Sequence, residues 1–159
     1  MYGLKKRHIT AAIILLALVL GLCGCKAVPN TKMINGETFV SEAEQFGLEV
    51  TDMMTGEYED DFYNLYQADS EQLHIQFFYA KDEMVANYLY TNDYNTLREK
   101  IVDGCSEEEF TNSTFTKLAV TFPEGERTVV VRSGCTYMYL EATASGRAVL
   151  DLFLEEISY

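Results

Sequence analysis

Apolar positions along this chain follow two different patterns. Near the start, an almost unbroken apolar stretch, Ile9 and then Ala11 to Leu20, follows Lys5-Lys6-Arg7 and leads into Gly21-Leu22-Cys23-Gly24-Cys25. From position 38 on, apolar residues recur at helical or strand periods instead. Phe39, Ala43 and Phe46 form a helical stripe over 38–46, with Gly47 placed to end it. Residues 48–53 alternate as a half-buried strand does, 55–61 read as a loop, and 63–68 fit a strand or a helix. Leu73, Ile75, Phe77 and Tyr79 alternate with His74 and Gln76, which predicts a strand over 73–79. Asp82 is placed to cap a helix over 83–90, and Tyr94, Leu97 and Ile101 mark a second helical piece over 94–103 that stops at Gly104. Residues 105–112 read as an acidic loop. Three strands follow over 114–122, 127–133 and 136–142, joined by turns at Pro123-Glu124-Gly125-Glu126 and at Gly134. An amphipathic helix over 145–157 closes the series, with Val149, Leu152, Phe153 and Ile157 on its apolar side.

The resulting order, α-β-β-β-α-β-β-β-α, predicts an α+β fold. Strand runs separated by helices favour a mostly antiparallel sheet with helices packed on one face. The expected organisation is a leader over 1–24, Cys25 and a short tether over 25–36, and one domain over 37–159.

The leader combines a positive start, a short apolar core and small residues at its end, which is the pattern of a secretory signal. The run from Ile9 to Cys25 is 17 residues with two glycines, short of the roughly 20 apolar residues a spanning helix needs. Leu22-Cys23-Gly24-Cys25 resembles the lipobox of bacterial lipoproteins: an aliphatic residue, a small residue, Gly or Ala, then Cys. The resemblance implies that the Cys25 thiol takes a diacylglycerol and that the chain is cut between Gly24 and Cys25. Two acyl chains, at about 0.8 kcal/mol per buried methylene, make such an anchor effectively permanent. The tether beyond it, Lys26 to Gly36, stretches to at most about 36–40 Å. It would hold the domain close to the outer face of a cell membrane, with Lys26 and Lys32 favouring anionic headgroups.

Charge narrows the partners. The 159 residues carry 12 Lys and Arg against 25 Asp and Glu; without the three basic residues of the leader the balance is 9 against 25, a charge of −16. Nucleic-acid recognition rests on clustered Lys and Arg, so it is excluded as a function class. One domain of this size is also too small for a two-lobed solute-binding protein.

Few residues carry recognisable chemistry. His74 is the one histidine beyond the leader and sits mid-strand with no nucleophile signature near it. Cys and His lack zinc-ligand spacing, and Glu57, Glu59, Asp60 and Asp61 lack the spacing of an EF-hand loop, so a solvated acidic loop is the expectation there. Glu107-Glu108-Glu109 reads the same way. No glycine-rich phosphate loop occurs, and no cofactor is implied. Ten tyrosines follow the leader, with no Trp in the chain; they suit either a sheet interior or a binding surface. Cys105 and Cys135 remain after lipidation of Cys25, and outside the cytosol they either pair, closing a loop of about 30 residues, or stay as two thiols.

From position 38 on, the chain also resembles a group of small lipoproteins of Clostridia-type Gram-positive bacteria that have no assigned activity. The resemblance rests on Phe46-Gly47-Leu48-Glu49-Val50-Thr51-Asp52, on His74-Ile75-Gln76-Phe77-Phe78 ahead of a capped helix, and on Arg132-Ser133-Gly134-Cys135-Thr136, where Cys135 stands in place of an expected Asn. It implies a fold and a location only. Together these readings describe a membrane-anchored extracytoplasmic binding or accessory domain, partnered by another envelope protein, a wall polymer or a small ligand; an envelope hydrolase using paired carboxylates is the alternative.

Overall fold

The computed structural model describes residues 33–159, so the leader, Cys25 and the start of the tether lie outside the described residues. The elements are α1 (Gly36–Gln45), β1 (Glu49–Asp52), β2 (Phe62–Asp69), β3 (Leu73–Ala80), α2 (Glu83–Glu99), β4 (Ser106–Thr111), β5 (Phe115–Thr121), β6 (Arg127–Ser133), β7 (Thr136–Ala142) and α3 (Arg147–Glu156). The seven strands make a single sheet in the order β1-β2-β3-β7-β6-β5-β4, and every neighbouring pair is antiparallel. The α+β class and the antiparallel sheet are as the sequence predicts.

Local chemistry sets the boundaries. The Asn35 side chain accepts from the Thr38 amide at 2.9 Å and starts α1; Gly47, at φ +77°, lets the chain turn out of it into β1. The Asp82 carboxylate accepts from the Met84 amide at 2.7 Å and starts α2. β6 and β7 meet in a two-residue turn, Gly134-Cys135, with Ser133 paired to Thr136 and a positive φ at Gly134. That is the II′ pattern, which matches the strand twist and wants Gly first.

Four details differ from the pattern reading. The two helical pieces after Asp82 are one helix of 17 residues, since Thr91-Asn92-Asp93 holds no Gly or Pro to break it. Residues 106–111, expected as a loop, form β4 at the edge of the sheet. Its acidic side chains blunt an edge that would otherwise invite pairing. On α3 the buried residues are Leu150, Phe153 and Leu154, while Leu152 is 57% exposed and Val149 is half-buried. Lastly, the helices do not share one face. Phe39 and Ala43 of α1 and Leu150 and Phe153 of α3 pack on Ile75, Phe77, Val129, Val131, Met138 and Leu140. Ala86, Tyr90 and Leu97 of α2 pack on Leu118, Val120, Val130 and Tyr137 of the other face. The uninterrupted runs Leu118-Ala119-Val120 and Val129-Val130-Val131 are what a strand buried on both faces requires.

Candidate functional site: the groove beside α2

On its α2-covered face the sheet presents rows of cross-strand neighbours, since paired residues point the same way. One row runs Leu65–Phe78–Tyr137–Arg132, the next Gln67–Gln76–Tyr139–Val130, and the last Asp69–His74–Glu141–Thr128. α2 packs over β6, β7 and part of β3. It leaves the β2 side of the face open, and the loop between β1 and β2 walls that side.

The opening is a hollow of about 290 Å³ lined by Met53, Tyr58, Phe62, Leu65, Phe78 and Leu89, with Gln67 and Gln76 as polar floor. Aromatic rings build its wall: Tyr58 stands edge-on to Phe62 with centroids 6.3 Å apart, and Phe62 lies 5.8 Å from Phe78. On the other side of Gln76 lies a smaller hollow of about 140 Å³ between Tyr139 and the Asp93, Thr96 and Lys100 side of α2.

Polar contacts run along the floor towards His74. Gln67 Nε2 donates to Asp69 Oδ2 at 2.7 Å, and His74 Nδ1 lies 2.6 Å from Asp69 Oδ1. The Asp69 carboxyl sits below its ordinary range: burial pushes it up, and the bonds from Gln67 and His74 more than offset that. The Tyr139 hydroxyl donates to Glu141, the cross-strand neighbour of His74. Burial and that carboxylate drive the Tyr139 hydroxyl far above its usual value. At this end a polar cleft of about 330 Å³ opens between the β2–β3 turn and the Glu126 to Thr128 segment.

His74 is therefore the half-buried strand residue its position predicts, held by Asp69. Its ring bonds no hydroxyl or thiol among the described residues. The acidic runs divide by location. Glu57, Glu59, Asp60 and Asp61 are exposed on the groove's loop wall. Glu107 and Glu109 both pair with Arg98, and Glu108 lies 3.2 Å from Arg127. No group of three His, Cys, Asp or Glu is placed to hold a metal among the described residues.

Most tyrosines serve the packing. Tyr137 is buried with its hydroxyl donated to Asp93, Tyr159 shares a bond with Thr136, and Tyr94 meets Arg98 and Glu109. Two tyrosines border the apolar hollow: the Tyr66 ring stacks with Phe39 and Phe77, whereas the Tyr58 ring stands edge-on to Phe62. Cys105 and Cys135 are free thiols. Cys105 precedes β4 at the Thr121–Arg127 end of the sheet and Cys135 lies in the turn beyond Ser133. The length of β6 separates them by roughly 20 Å, far beyond the about 7 Å a bridge tolerates. The structure thus corrects the bridged alternative. The Cys135 thiol is pushed up by burial and by the Glu83 and Asp82 carboxylates.

Pattern reading alone did not find the groove. Met53, Phe62, Phe78 and Leu89 come from a loop and three elements, and the register shift between Phe62 and Asn64 hides the alternation of β2. The nearest signal was Tyr58 inside an acidic loop.

No family model matches the chain, and no curated protein matches it. A solved structure that it is similar to is a GTP binding regulator from Thermotoga maritima, at 13% identity and a TM-score of 0.47, covering 79% of this chain and 85% of that one.

Proposed function

We propose that this chain is a lipid-anchored lipoprotein on the outer face of a cell membrane, and that its domain works by binding a partner of the envelope. The observation that carries the reading is the order and spacing of Lys5-Lys6-Arg7, the apolar core and Leu22-Cys23-Gly24-Cys25. Lipid on Cys25 supplies the membrane attachment. The helices of the described residues would not, since none is long and apolar enough to cross. α1 begins eleven residues after Cys25, which keeps the domain at the bilayer surface.

The binding role draws support from the groove, an apolar hollow with a few polar groups converging on it. Its partner is another envelope protein or a wall polymer. Cell fractionation tests the anchor: the natural chain sediments with membranes, and Cys25→Ala releases it to the soluble fraction or the medium. A Cys25→Ala chain that stays in the membrane would show an uncleaved signal anchor instead.

A further inference from the structure

We infer that the groove beside α2 docks an extended, basic segment of a partner protein, one apolar side chain of which fills the hollow between Tyr58 and Phe78. The inference rests on the binding reading and names the ligand class. Three observations carry it: size, charge and floor chemistry.

Small-molecule sites enclose about 300–1,000 Å³. The apolar hollow here is about 290 Å³ and open, and the next along the groove is about 140 Å³. Two adjacent hollows with Gln76 in common suit successive side chains of one strand of polypeptide. The floor fits a backbone: the Gln67 and Gln76 amides are cross-strand neighbours, and Gln76 makes no side-chain hydrogen bond among the described residues. A peptide amide laid across them satisfies donors and acceptors on both sides.

Charge sets the sign. Glu57, Glu59, Asp60 and Asp61 stand exposed on the loop that carries Tyr58, and none is in an ion pair among the described residues. The β4 acids behave differently, being spent on Arg98 and Arg127. Asp93 faces the far hollow. The cations nearby are Lys100 at that hollow and Lys81, whose ammonium donates to the Glu59 carbonyl. The rim is thus net acidic, five carboxylates against two ammonium groups, and it complements Lys or Arg flanking an apolar anchor.

Fluorescence anisotropy with the full lipidated chain in zwitterionic nanodiscs tests this, empty discs serving as blank. The probe is a labelled peptide of lysine and serine around one phenylalanine. It should bind, with affinity falling as salt screens the rim. A copy with glutamate for lysine should not bind, and a copy with alanine for phenylalanine should bind about tenfold more weakly. Tyr58→Ala and the pair Asp60→Lys, Asp61→Lys should each weaken binding about tenfold. Tyr88→Ala, whose exposed ring lies outside the groove, should not change it. Equal binding of the glutamate copy, tighter binding of a chitin oligosaccharide, no binding of any peptide, or indifference to Tyr58→Ala would each overturn the inference. A photo-crosslinker at position 58 in intact cells separates it from the reading beneath. Capture of a neutral or acidic segment sinks the charge class alone, whereas capture of nothing sinks the binding role as well.

Discussion

The Tyr137 hydroxyl, on the central strand β7, donates to the Asp93 carboxylate in the middle of α2. It is one polar tie between the sheet and α2, beside the Arg132–Glu83 pair at 2.7 Å and the pairing of Arg98 with Glu107 and Glu109. Burial and the Asp93 carboxylate push the Tyr137 hydroxyl far above its ordinary value, so it stays a donor at any working pH. Tyr137→Phe should cost about 1.5–3 kcal/mol, the range for a hydrogen bond to a charged partner. Hydrogen exchange should localise the loss to α2. Unchanged protection across 83–99 would contradict this role.

Phe153 and Leu152 are adjacent on α3 and should respond oppositely. Phe153 is fully buried and meets Phe39 and Phe46 edge-on at 6.2 and 5.5 Å. Phe153→Ala should destabilise by about 3–5 kcal/mol. Leu152, 57% exposed, should change stability by no more than about 0.5 kcal/mol when replaced by Ala. Denaturant midpoints decide; comparable losses would mean that α3 is rotated from the position described.

Much of this fold was legible because β6, β7 and β3 carry clear signals: period two in Leu73 to Tyr79, Gly134 between two strands, and Asp82 before a helix. β4 was not legible. Glu107 and Glu109 point to one face and Glu108 to the other, so both faces are polar and alternation vanishes. The position of α2 is set by long-range packing of Tyr90 and Leu97 on Val130 and Tyr137, which local periodicity does not encode. The groove was illegible for a related reason: it is the part of the face that α2 fails to cover, and its lining comes together only in three dimensions.

Asp69 makes stability depend on acidity. Its carboxyl is lowered in the folded chain by Gln67 and His74 against the pull of burial. A depressed carboxyl stabilises the fold above its unfolded value of about 4, and that contribution is lost as pH falls through the folded value. Asp69→Asn should therefore destabilise at pH 7, and the gap from the natural chain should shrink when the pH is taken below the ordinary carboxylate range. Denaturant titrations in both conditions check it. A gap that persists in acid would assign the effect to packing rather than charge.

Cys105 and Cys135 should remain two separate thiols, because the length of β6 lies between them. Thiol labelling of the unreduced, denatured mature chain should count two. A count of zero would mean a bridge that the sheet register forbids.

Membrane attachment through Cys25 is the claim on which the location and the binding role both stand. Intact mass spectrometry of the chain extracted from the membrane fraction tests it most directly. The account predicts a chain that begins at Cys25 and carries a diacylglycerol on that thiol. A chain that retains Lys5, or one with Cys25 unmodified, would contradict it.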